Sequence, residues 1–168
     1  MSFADDLLEQ AYHLLNKDGN APKQASLRRA VSTAYYALFH LLIDEAVGKW
    51  SVEHQRNALA RTFKHGGMAK VCDESVKSFY IARQPPHLGP LKDVAQIFSQ
   101  LQEKRHTADY DSEKWSKGNA ETWIDKADTA FKNWRLVRAS PEAQDSLLFL
   151  FLPELMPKKK KEPESESS

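Results

Sequence analysis

Ser26-Leu-Arg-Arg-Ala-Val-Ser-Thr-Ala-Tyr-Tyr-Ala-Leu-Phe-His40 decides the fold. Val31, Ala34, Tyr35, Leu38 and Leu42 recur at helical spacing and predict a band that faces a core. With about 3.6 residues per turn, Arg29, Ser32, Thr33, Tyr36 and His40 fall together on an adjoining face. A cation, two hydroxyls, a phenol and an imidazole on one rigid element suit an anion or another polar partner. An ordinary bundle helix does not require that set.

Working outward, the same periodicity repeats. Ser2-Phe-Ala-Asp5 has the form of a capping box, followed by the stripe Ala4, Leu7, Leu8, Ala11, Leu14 and Leu15. Lys17 to Pro22 breaks it, with Gly19 and Pro22 as punctuation, and the second helix is predicted from about Gln24 to Gly48. A shorter helical piece is expected near Glu53 to Lys64, with Leu59 and Phe63 inward and Gly66-Gly67 ending it. Met68 to Ala82 is predicted helical through Val71, Cys72, Val76, Phe79 and Tyr80, and Gln84 to Pro90 is predicted as a loop. Pro90 suits the first turn of a helix carrying Leu91, Val94, Ala95, Phe98 and Leu101 on one face. Arg105 to Lys117 is expected to be an irregular polar connection. Asn119 is expected to cap a long helix with Ala120, Trp123, Ile124, Ala127, Phe131 and Trp134 inward. Pro141 starts one more short apolar helix, which Pro153 stops.

No alternating strand pattern and no internal repeat interrupts this series. The prediction is an all-α, up-and-down helical bundle of four to five main helices with a short extra C-terminal helix. One domain is expected over residues 1–152. The charged tail over 153–168, which includes Lys158 to Lys161, is expected to be disordered.

Composition excludes several classes. The 168 residues suffice for one domain with a sizeable core, and a net charge of +1 gives no whole-chain argument for nucleic acid. Cys72 is the single cysteine, which excludes an internal disulfide and suits a reducing compartment. The longest apolar run, Leu147 to Leu152, is far short of the roughly 18 residues of a membrane span. The N-terminus lacks a signal-peptide pattern, so a cytoplasmic protein without membrane contact is expected. The histidines at 13, 40, 54, 65, 87 and 106 and Cys72 show no paired ligand spacing, so no metal is expected. No Gly-rich phosphate loop follows a strand, and no cofactor is implied.

Leu27 to His40 resembles the second helix of HEPN domains (higher eukaryote and prokaryote nucleotide-binding). Arg105-His-Thr-Ala-Asp-Tyr-Asp111 is similar to the Arg-x-x-Ala-Asp-Tyr element of that family, and His54 to Gly67 resembles its middle segment. The resemblance covers roughly Ser2 to Arg138. It implies a helical bundle, usually a homodimer whose paired faces build a shared cleft. Family members include ribonucleases of toxin–antitoxin, phage-defence and CRISPR systems, and also non-catalytic modules that bind nucleotides or protein partners.

One departure bears on activity. Catalytic members resemble one another in an Arg followed, after four to six residues, by His. From Arg105 the corresponding positions run from Tyr110 to Ser112, and none is histidine. The pairs Arg61/His65, Arg56/His65 and Arg83/His87 also miss the spacing. The expectation is therefore a dimeric HEPN-like module that binds a nucleotide, RNA or protein partner without ribonuclease activity. The alternative is an HEPN ribonuclease, such as a toxin, with a displaced histidine.

For cleavage, Arg105 and His106 supply a guanidinium for phosphate charge and an imidazole for the 2′-hydroxyl. Adjacent helical residues point about 100° apart, so the pair converges only if the chain leaves helical geometry. Arg105 paired with Asp109 or Asp111 is the structural alternative. The ligand-binding candidates are Arg29, Ser32, Tyr36, His40, Asp109 and Tyr110. Arg29 fits a phosphate or a bridge to Asp109 equally. Tyr36 and His40 fit packed, satisfied polar residues as well as ligand contacts. Tyr110 is analogous to a tyrosine that, in some toxin–antitoxin pairs of the family, a partner nucleotidyltransferase modifies. An antitoxin or nucleotidyltransferase is thus a further candidate partner.

Overall fold

The computed structural model describes residues 2–81 and 88–151. Its helices are α1 (Phe3–Asn16), α2 (Gln24–Gly48), α3 (Arg56–Ala60), α4 (His65–Ile81), α5 (Gly89–Tyr110), α6 (Lys117–Val137) and α7 (Pro141–Phe151), with a 3-10 turn at Glu53–Gln55. No strand occurs among the described residues, and the architecture is an all-α bundle. The side chains of Phe79 and Tyr80, most of the loop expected over 84–90 and the tail over 153–168 lie outside the described residues.

α2 forms the axis of the bundle. It packs against α1, α5 and α6, and α5 packs in turn against α4 and α6. Leu27, Val31, Tyr35, Leu38, Phe39 and Leu42 are buried on one side, and Ala30, Ala34, Ala37, Leu41 and Ile43 extend burial around much of the helix. A helix surrounded in this way has little free polar face. The three alanines let neighbouring backbones approach closely. The polar stripe therefore lies between helices over part of its length, and Ser32 is only 1% exposed.

The Ser2–Asp5 capping box forms as the sequence predicts, with the Ser2 hydroxyl accepting from the Asp5 amide at 3.2 Å. The break after α1 turns through Gly19 at φ 60°, a left-handed conformation that favours glycine.

Three boundaries differ from expectation. The 53–64 segment is a 3-10 turn followed by the short α3, and Gly66 and Gly67 lie in the first turn of α4 rather than ending a helix. α5 continues through Arg105 to Tyr110, where an irregular connection was expected. Ala108 is 2% exposed and anchors that last turn. Ser116, not Asn119, caps α6: its hydroxyl accepts from the Asn119 amide at 3.1 Å.

The start of α2 fixes where α5 ends. The Gln24 amide donates to the Trp115 carbonyl at 2.7 Å and its oxygen accepts from the Trp115 amide at 2.8 Å. Arg28 donates to the carbonyls of Ala108 at 2.9 Å and Glu113 at 2.7 Å. These bonds satisfy carbonyls at and beyond the C-terminal end of α5 and hold Asp109 against α2.

Candidate functional site

Tyr35 is the centre on which three helices converge. Ser32, Tyr35, Tyr36 and Phe39 share one face of α2 through their three- and four-residue spacing. Tyr35 is fully buried, and its hydroxyl lies 2.6 Å from Nδ1 of His65, the first residue of α4. From α5, the Arg105 guanidinium lies over the Tyr35 ring, with Cζ 5.5 Å from the centroid. Burial raises the Tyr35 phenol above its ordinary pKa, outweighing Arg105, and keeps it neutral.

The His65 ring stacks on Phe39 with centroids 4.1 Å apart and meets Tyr36 edge-on at 5.8 Å. Burial lowers its pKa from 6.5, and charge on Arg105 and His40 lowers it further, so the imidazole is neutral at pH 7. Either tautomer is compatible with Tyr35, which donates to a bare Nδ1 or accepts from Nδ1–H. Nε2 makes no hydrogen bond to a described residue.

Arg105 is held but not saturated. Its side chain is 13% exposed, and Nη1 is 3.5 Å from an oxygen of Asp109 one turn on. That distance fits an ion pair better than a strong hydrogen bond. The other Asp109 oxygen accepts the buried Ser32 hydroxyl. Nε of Arg105 is buried and donates to no described residue.

Two cations flank the site in sequence. Arg61 and Lys64 are exposed just ahead of α4. α4 opens with His65-Gly66-Gly67, and a Cβ at Gly66 would meet nothing within 4 Å. The amides of a helix's first turn have no partners inside the helix and carry its positive pole.

The structure thus brings together Ser32, Tyr36, Arg105 and Asp109 from the residues singled out in the sequence. Arg29 is exposed and is not among the partners of Asp109, which are Ser32 and Arg105. His106 and Tyr110 are exposed beside one another with ring centroids 5.0 Å apart, whereas Arg105 turns inward. Helical geometry therefore separates Arg105 from His106. His40 is packed edge-on against Phe3 at 5.0 Å and Phe39 at 5.6 Å. Burial lowers its pKa and the charge of Asp44 opposes that shift. It reaches the site through the Phe39 ring and through its electrostatic effect on His65.

Sequence spacing missed His65 as the imidazole beside Arg105, and it placed Tyr35 in the core without a partner. The pairing joins three separate helices, which no local motif reports. The aromatic run Tyr35, Tyr36 and Phe39 at helical spacing was the available sign that a flat partner packs there.

Among the described residues, no group of three or more His, Cys, Asp and Glu is placed to hold a metal, and no helix is long and apolar enough to cross a membrane. No family model, curated protein or solved structure matches the chain.

Proposed function

We propose that this chain is an HEPN-like helical module that holds a phosphate group of a nucleotide or RNA where α2, α4 and α5 meet. It acts as a homodimer and without ribonuclease activity. One observation carries the reading: Nε of Arg105 is buried without an acceptor, beside the neutral imidazole of His65. A buried donor left unpaired costs about 1–3 kcal/mol. A phosphate oxygen would satisfy it through a charge-assisted bond once the Arg105 side chain, 13% exposed, turns outward. The positive pole of α4, with Arg61 and Lys64, adds attraction for the same group.

The family placement draws support from the meeting of the two segments that carry the resemblance, which touch at Ser32 and Asp109. The dimer follows from the resemblance. A monomer in light scattering at tens of micromolar, roughly where weak dimers persist, would count against it. The non-catalytic reading rests on Asp109, which already shares Arg105, and on His65 as the one imidazole at the site among the described residues. General acid–base cleavage needs one group to take a proton and another to give one.

The test is fluorescence anisotropy with a labelled 2′-O-methyl octauridylate at low salt. Saturable binding, weakened at least tenfold by Arg105→Gln and more modestly by Lys64→Gln, supports the reading. Binding unchanged by both substitutions overturns it.

A second reading, a ribonuclease, is favoured by the neutral His65 beside Arg105, the base and cation that 2′-hydroxyl attack needs. RNA cleavage and a growth defect, both abolished by His65→Ala, would establish it. Intact total RNA at high protein concentration and harmless expression remove it.

A further inference from the structure

We infer that anion binding at this site is coupled to the uptake of one proton by His65, so that the protein holds a phosphate more tightly as pH falls. The inference rests on the phosphate-binding reading above.

The argument begins with the Tyr35 hydroxyl, 2.6 Å from Nδ1 of His65. A hydroxyl both donates and accepts. When His65 is neutral with a bare Nδ1, Tyr35 donates to it. When His65 is protonated, Nδ1–H donates and the Tyr35 oxygen accepts. Only the hydroxyl hydrogen rotates between the two states. The ring stays stacked on Phe39 and edge-on to Tyr36. Nε2–H is present in both states and has no partner among the described residues, so protonation adds to that donor a positive charge that an incoming anionic oxygen meets.

The charges around the ring decide when this happens. α5 presents Arg105, and α2 presents His40, the neutral Tyr35 phenol and the ring of Tyr36. Arg61 and Lys64 precede His65 on its own segment. Asp109 is directed to Ser32 and Arg105. α7 packs on α4 and carries Glu142 and Asp145, but the charges that act on His65 are those of Arg105 and His40. Among the described residues, no carboxylate balances an imidazolium at this position. In the free protein a proton on His65 is therefore opposed by burial and by like charge. A phosphate between His65 and Arg105 supplies the missing counter-charge to both. The bound state thus favours protonated His65, and the proton comes from solvent. Between the free and bound pKa values, binding takes up close to one proton, and affinity changes by up to tenfold per pH unit.

The probe is 2′-O-methyl octauridylate with hydroxyl ends, whose backbone phosphates keep their charge from pH 5.5 to 8. Affinity of the wild type is expected to rise several-fold as pH falls across that range, and His65→Gln to bind with a flat profile. In the wild type, NMR titration of the His65 ring protons should give a higher pKa with saturating probe than without it, a measurement that needs no variant. Binding with no pH dependence, a pH dependence that survives in His65→Gln, or a His65 pKa unmoved by the probe overturns proton coupling and leaves the binding reading standing. No binding at any pH overturns both.

Discussion

Asp109 accepts the Ser32 hydroxyl on one carboxylate oxygen and faces Arg105 with the other, which ties the last turn of α5 to the middle of α2. Ser32 is 1% exposed, so a residue placed by sequence on a ligand-facing stripe is an internal clamp.

Removing either side of that clamp leaves a polar group in a partly buried position without its partner. Ser32→Ala and Asp109→Ala are each expected to destabilise the fold by about 1–3 kcal/mol in urea denaturation. The double variant should lose less than the sum of the two, as for residues in direct contact. Arg29→Ala, at an exposed position, is expected to stay within about 0.5 kcal/mol of wild type. A fully additive Ser32/Asp109 cycle would show that the two do not interact.

Tyr35→Phe keeps the buried ring and removes the hydroxyl that meets His65. The expected cost is about 1 kcal/mol, the net worth of one such bond. In the His65 titration the variant should lose the acceptor that Tyr35 offers to Nδ1–H, so its pKa should move further down. A pKa unchanged from wild type would argue that the phenol plays no part in the proton balance.

Stability should depend on pH through the same residue. The folded-state pKa of His65 is lowered from 6.5 by burial and by Arg105, and that of His40 is lowered by burial. Below 6.5 the unfolded chain binds protons that the folded chain resists. Stability contributed by these groups is therefore complete above about pH 6.5 and falls as pH drops through the folded values. Asp44, partly desolvated, has a raised pKa and acts in the opposite sense, gaining stability as pH falls through its own range above 3.8. Denaturation at pH 7.5 and 5.5 should show wild type losing more stability than His65→Gln. Equal losses would contradict the assignment.

Gly19 carries a φ of 60°, and a Cβ there would meet no atom within 4 Å. The strain of Gly19→Ala is thus a backbone effect alone. The expected loss is about 1–2 kcal/mol in thermal or urea unfolding, with no change in ligand affinity. No loss of stability would show that the turn readily adopts another conformation.

Periodicity made most of the bundle legible, because burial of one helical face depends on local spacing. The capping box at Ser2 and Asp5 was legible for the same reason. Gly66-Gly67 reads as a terminator because glycine disfavours helix interiors, yet in the first turn its cost is small. The end of α5 was hidden because its polar residues resemble a loop, and the bonds that hold it come from Arg28 on another helix. Ser116 and Asn119 are both good caps, and the choice depends on where the connection clamped through Gln24 and Trp115 delivers the chain. At the site, Arg105 and Asp109 were legible as a one-turn pair. His65 was not, because its partners Tyr35, Phe39 and Arg105 are distant in sequence and meet only when α2, α4 and α5 pack.

The Arg105 Nε–H is the most direct reporter of phosphate binding, because it is buried and has no acceptor among the described residues. Its NMR resonance can be assigned by its disappearance in Arg105→Lys and followed during titration with 2′-O-methyl octauridylate. The account predicts a saturable downfield shift of that resonance as a phosphate oxygen accepts its hydrogen bond. An unmoved resonance while the probe binds elsewhere, or no binding at all, would contradict it.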